Sequence, residues 1–132
     1  MNNIDFLNTV KTIAVIGLSD KPERASFRVA NFLISKGFKI IPVNPMIKEV
    51  FGLKAYSDLN SIPNDIVIDI VDIFRKSEEV FPIVKTAISR KVPHIWMQEG
   101  VINYEAMEYA QKHGATVAMD VCLMKEISKA NI

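Results

Sequence analysis

The stretch Gly17-Leu18-Ser19-Asp20-Lys21-Pro22-Glu23-Arg24-Ala25-Ser26 gathers one glycine, two hydroxyls and two cations within ten residues. If Gly17 turns the chain tightly off a strand and a helix follows, unpaired N–H groups and the positive end of the helix dipole face outward there. Ser19 and Ser26 then add hydroxyl donors, and Lys21 and Arg24 add charge. Such a set suits a phosphate or pyrophosphate. The alternative is an ordinary solvated turn in which Ser26 caps its helix. The glycine stands without the later glycines of G-x-G-x-x-G and without a Walker signature. The second strand ends Val43-Asn44-Pro45, with no Asp or Glu to hold ribose hydroxyls. NAD is disfavoured on both counts.

Two further segments interleave apolar and polar chemistry. Val71-Asp72-Ile73-Phe74-Arg75-Lys76 sets an aromatic ring beside two cations. Arg75 suits bidentate contact with a phosphate, and Phe74 suits cover for an adenine or an apolar arm. The rival reading buries Phe74 in the core and leaves both cations in water. Met97-Gln98-Glu99-Gly100-Val101 brings an amide and a carboxylate, and reads equally well as the turn that opens a helix.

Catalytic and metal chemistry find less support. The two histidines, His94 and His113, are far apart, and the single cysteine, Cys122, excludes an internal disulfide and a cysteine-rich metal site. His113 precedes Gly114 where a helix should stop, a position at which a cation favours the helix dipole. His94 opens an inner strand and reads as structural. Cys122 follows the last strand with no histidine beside it in sequence, so it is either a buried small side chain or a thiol nucleophile at the binding edge.

Short apolar runs alternating with helical periodicity must position these residues. Thr12-Ile13-Ala14-Val15-Ile16, Lys39-Ile40-Ile41-Pro42-Val43, Ile66-Val67-Ile68-Asp69-Ile70-Val71, His94-Ile95-Trp96-Met97 and Thr116-Val117-Ala118-Met119 read as strands. Segments 26–36, 78–90 and 103–113 carry apolar residues at helical spacing, with Gly37 and Gly114 as stops and Ser77 as an N-cap. Flanking helices are expected over 4–10 and 123–130, and a short one near 47–50 ahead of irregular chain. Strands separated by such helices imply right-handed crossovers. The expected fold is a single doubly wound α/β domain over residues 1–132, with a mainly parallel five- or six-stranded Rossmann-like sheet ordered near 3-2-1-4-5 or its neighbour. Ligands of such sheets bind at the carboxyl ends of the strands. That rule selects the loops 17–25, 44–48, 72–77 and 98–103.

Composition agrees with this reading. The chain has 132 residues, 49% of them apolar, and 16 Lys and Arg against 15 Asp and Glu. That length supports one core without staples. A net charge of +1 removes the strong attraction that drives nucleic-acid or acidic-membrane binding, so neither partner is expected. No apolar run approaches the roughly 18–20 residues of a membrane helix, and the first residues lack a secretory pattern; a cytoplasmic location is expected.

In these loops the sequence resembles the CoA-binding domain family, small Rossmann-like proteins similar to the N-terminal domain of the succinyl-CoA synthetase alpha subunit. The resemblance spans about residues 7–126. Besides the first loop and Pro42-Val43-Asn44-Pro45, it rests on Val71 to Lys76, on Ile95-Trp96-Met97-Gln98-Glu99-Gly100 and on Asp120-Val121-Cys122-Leu123-Met124-Lys125-Glu126. It implies coenzyme A, free or acylated, as the ligand. The phosphates would lie near Gly17, Ser19, Lys21, Arg24 and Ser26, with Val43, Asn44 and Pro45 lining the cleft. The adenosine or pantetheine portion would pass Asp72, Phe74 and Arg75, with Gln98 and Gly100 opposite. Relatives often carry Arg before the Cys and His after Met-x-Glu, where this chain has Val121 and Ile127. The synthetase's phosphorylated histidine lies in another domain, so ligase activity is not implied. Binding without chemistry is the leading expectation. The rival is an enzyme or redox-responsive protein acting on CoA thiols or acyl groups through Cys122.

Overall fold

A computed structural model describes residues 5–132. After a 3-10 turn (Asp5–Asn8) come β1 (Thr12–Ile16), α1 (Ala25–Ser35), β2 (Lys39–Val43), β3 (Glu49–Val50), β4 (Leu53–Lys54), β5 (Ile70–Ile73), α2 (Val80–Ser89), β6 (His94–Met97), α3 (Tyr104–Lys112), β7 (Thr116–Ala118) and α4 (Leu123–Ala130). The helix expected over 4–10 is thus a 3-10 turn, and Ile4 lies outside the described residues.

Five strands form one sheet in the order β2-β1-β5-β6-β7, every neighbouring pair parallel. Counting main strands alone, this is 2-1-3-4-5. The 3-2-1-4-5 order would need a third parallel strand outside β2. In its place the chain makes the antiparallel hairpin β3–β4, a 3-10 turn (Leu59–Ser61) and one parallel bridge between Val43 and Tyr56. The hairpin replaces the short helix expected near 47–50. Its two loop residues, Phe51 (φ 56°) and Gly52 (φ 72°), both take positive φ, the signature of a tight primed turn that twists with its strands.

The third main strand begins at Ile70, four residues later than the apolar run from Ile66 implies. Val67 is 74% exposed, and the Asp69 carboxylate accepts the Lys11 and Thr12 amides at 2.9 Å each. The run from 66 to 69 is therefore a connection pinned to β1 by a side chain. Gly37 and Gly114 end α1 and α3 as expected, with Phe38 N–H donating to Leu33 O (3.1 Å) and Ala115 N–H to Ala110 O (3.0 Å). Ser77 lies in a 3-10 turn (Ser77–Glu79) ahead of α2 and caps neither element; its Oγ accepts the Ile102 amide at 2.9 Å.

Alternation along the strands divides the interior into two layers. Ile13, Val15, Ile70 and Trp96 pack against Leu33 of α1 and Leu123 of α4. Ala14, Val71, Ile73 and Ile95 pack against Val84 of α2 and Ala106 of α3. Each fully buried aliphatic side chain contributes about 1.5–3 kcal/mol, so the doubly covered central strands dominate stability. They hold the loops at their carboxyl ends on a rigid base.

Candidate functional site

Gly17 is where the first and third loops meet. Its φ is +84°, and a Cβ placed there would lie 2.4 Å from the Phe74 carbonyl oxygen and 3.1 Å from Arg75 Cδ. Its own N–H donates to Val43 O at 2.7 Å, so three strand ends touch one residue. Only glycine fits this contact and this backbone conformation.

The first loop is held from within. Ser26, 5% exposed, accepts the Ser19 amide on Oγ at 3.0 Å, and Ser19 Oγ accepts the Lys21 amide at 3.1 Å. Ser26 therefore braces the loop and does not cap α1, whose N-cap residue is Arg24 without a side-chain cap bond. Asn44 ties the second loop to the first: Nδ2 donates to Leu18 O and Oδ1 accepts the Met46 amide, both at 2.9 Å.

Two cavities open on either side of this junction. The smaller, about 350 Å³, lies between β2 and α2; Ile16, Val43, Pro45, Leu59, Pro82 and Ile83 give it apolar walls, and Ser57, Asp58, Asn60 and Thr86 supply polar edges. The larger, about 700 Å³, lies between α1 and the loops after β5, β6 and β7. Its lining includes Phe74, Gln98, Cys122, Met124 and four cations, Arg28, Arg75, Lys76 and Lys125, with Glu79 and Glu99 as the acids. Gly17, Arg75 and Glu79 line both. Both volumes fall in the range of small-molecule sites.

The far wall of the larger cavity is a clasp between two loops. Gln98, 4% exposed, accepts the Leu123 amide on Oε1 at 3.1 Å, and the Gly100 amide donates to Asp120 Oδ1 at 2.7 Å. Lys125 pairs with Glu99 at 3.2 Å. Cys122 is buried at the N-cap of α4, and the Trp96 indole N–H donates to the neighbouring Val121 carbonyl at 2.7 Å.

Asp72 differs from the other residues selected from the sequence. It is fully buried in β5 between Val15 and Trp96, below the cavity-lining Phe74, and neither carboxylate oxygen has a hydrogen-bond partner. Burial pushes its carboxyl well above the usual carboxylate range. At Glu79 the cause is opposite: the Arg75 guanidinium, by hydrogen bond and charge, holds the carboxyl below its ordinary value against partial desolvation. His94 stacks on Phe6 with ring centroids 3.9 Å apart, and burial pushes its imidazole down, opposed by Asp69.

Of the residues selected from the sequence, Gly17, Val43, Asn44, Pro45, Phe74, Arg75 and Gln98 line one or both cavities. Ser19, Ser26 and Gly100 brace the loops around them. Lys21 and Arg24 are exposed on the first loop, outside both linings. Sequence reasoning missed Arg28, Glu79, Lys125 and the segment 57–60. Arg28 carried a signal, since it falls on the helix face of Ala25 and Val29. So did Glu79, four residues after Arg75. Among the described residues no cluster of three or more His, Cys, Asp or Glu side chains is placed to hold a metal, and no helix is long and apolar enough to cross a membrane.

A parallel sheet in 2-1-3-4-5 order, covered on both faces and open at its carboxyl ends, defines a Rossmann-like α/β domain. Residues 11–128 match the family model described as a CoA binding domain, and the chain belongs to that family. It is 42% identical over 119 residues to the uncharacterized protein YneT of Bacillus subtilis, covering 90% of this chain and 87% of that one. A solved structure of a hypothetical protein from Pyrococcus horikoshii OT3 superposes with a TM-score of 0.90 at 34% identity, over 95% of this chain and 87% of that one. Over 74 residues the chain is 34% identical to the acetate–CoA ligase [ADP-forming] II subunit alpha of Pyrococcus furiosus, covering 55% of this chain and 16% of that subunit.

Proposed function

We propose that this protein binds coenzyme A, free or acylated, in the cytoplasm, and performs no chemistry on it. One observation carries the reading: two cavities of different character meet at Gly17 and Arg75, so the Arg75 guanidinium is shared by both. Coenzyme A has the matching form, with a flat polar-edged ring at one end, a long thiol-bearing arm at the other and a diphosphate between them. Adenine takes the smaller cavity, between apolar walls and beside Thr86 and Asn60. The pantetheine arm takes the larger, toward Gln98 and Cys122. The diphosphate crosses between them at Arg75 and the α1 N-terminus, with Lys21 and Arg24 adding long-range attraction. Family membership supports the ligand class.

Native mass spectrometry of freshly purified protein, then denaturation, tests the reading. A released CoA-sized molecule supports it, and its mass separates free from acylated forms. Protein that arrives empty and gives no calorimetric response to added CoA overturns it.

A second reading follows from Cys122 lining the larger cavity. Attack of its thiolate on CoA disulfide would form a Cys122–CoA mixed disulfide and release one CoA thiol, with the electron pair leaving on that sulfur. A Cys122→Ser variant that consumes CoA disulfide and acyl-CoA as the parent protein does removes this reading.

A further inference from the structure

Arg75 and Glu79 belong to both cavities and pair with each other across their common boundary, Arg75 Nη2 donating to Glu79 Oε1. Both side chains are 37% exposed, so the pair is reachable from either cavity. The other cations of the larger cavity are not part of that boundary. Lys125 is paired with Glu99, and Arg28 donates to the Glu23 backbone carbonyl. Arg75 is thus the cation shared by the two cavities, and a carboxylate already occupies it.

We propose that Glu79 is a built-in competitor, holding on Arg75 the anion position that a phosphate of the ligand must take over. The inference rests on the reading of the cleft as a coenzyme A site. An exposed i,i+4 ion pair adds little to folding, so its consequence lies in what it does to Arg75. It keeps the guanidinium over the boundary and charges any incoming anion the cost of displacing a carboxylate. A phosphate offers more charge and more acceptor oxygens than one carboxylate, and can take the fork of the guanidinium bidentately. A single carboxylate on a ligand gains nothing by the exchange. The released Glu79, next to a phosphate, turns into solvent. Glu79 therefore sets a charge threshold for occupancy. The Arg75 hydrogen bond holds the Glu79 carboxyl below its ordinary range, which agrees with a pair that persists at neutral pH.

Calorimetric titration of inorganic pyrophosphate and of CoA into the parent protein and into Glu79→Gln tests this. Both ligands are expected to bind the variant about three- to tenfold more tightly, the scale of an exposed ion pair plus a lost like-charge contact. The melting temperature should stay put, and Glu79→Asp should fall between the two. If the parent binds CoA and Glu79→Gln binds it equally or more weakly, the competitor role is overturned, and weaker binding makes Glu79 a ligand contact. If neither protein binds CoA but the variant binds pyrophosphate more tightly, the exchange at Arg75 stands and the coenzyme A reading falls. If neither ligand binds either protein, both are overturned.

Discussion

The two cavities share three residues and little else. The one against α2 is walled by aliphatic and proline carbons, and Arg75 is its one cation. The one against α1 and α4 presents four cations, an aromatic ring, a buried amide and a thiol. The difference follows from the chain that builds each. The first is closed by segment 57–60, which fills the place of a missing sixth strand and packs on α2, with the Arg90 guanidinium donating to the carbonyls of Leu59, Ile62 and Pro63. The second is built from turns that follow three strands directly, so polar loop residues face inward. One sheet edge thus supplies an apolar slot and a charged trough, and the boundary residues between them belong to both.

Changing that boundary should have the largest effect. Gly17→Val drives a side chain into the Phe74 carbonyl and strains a positive φ, so binding in both cavities should fail together. The strain itself, about 1–3 kcal/mol, falls on folding stability, while displacement of the cavity-lining Phe74 and Arg75 should cost up to about a hundredfold in CoA affinity by calorimetry. Filling the apolar slot separates the two sides. Ile83→Trp should weaken CoA by about tenfold or more, the worth of burying a ring, while leaving 4′-phosphopantetheine almost unchanged. Equal losses for both ligands would show that the arms are not divided in this way. Lys21→Ala with Arg24→Ala should cost about tenfold through lost charge-assisted attraction, and most at low salt, because both are exposed.

Asp72 tests the base beneath the charged side. Its folded carboxyl titrates above the unfolded value of about 3.9, so the folded state holds a proton that the unfolded state releases. Stability is then greatest below that unfolded value and falls as pH rises toward the folded one. Asp72→Asn should raise the melting temperature at pH 7 by a few degrees, 1 kcal/mol being worth about 3–5 °C in a domain of this size. The gain should vanish near pH 4, with CoA affinity altered least of all the variants.

The strands flanked by helices were legible because burial on both faces writes continuous apolar runs, as in Ile13 to Ile16. The third strand was misplaced because Ile66 to Ile68 has the same composition, while its register is decided by Asp69, whose carboxylate reaches the amides of residues 11 and 12. The hairpin was hidden by Phe51 at positive φ, a position that favours glycine or asparagine. For the site, loop chemistry led to Gly17, Phe74, Arg75 and Gln98. It did not lead to segment 57–60, whose place beside α2 comes from tertiary anchoring by Arg90. Nor did it show that Ser26 spends its oxygen on the Ser19 amide, a contact across seven residues of folded loop.

The contact at Gly17 also governs the shape of what can lie across it. The Phe74 carbonyl occupies the room a side chain would need at Gly17, so two loops press together at the crest that the slot and the trough share. On the reading that one molecule occupies both, its turn from one side to the other falls at that contact. A stiff rod of the same length and charge would ride over the crest and fill one side alone. A diphosphate bridge has its most compliant torsions at that midpoint, so the crest sorts molecules by where along their length they can flex.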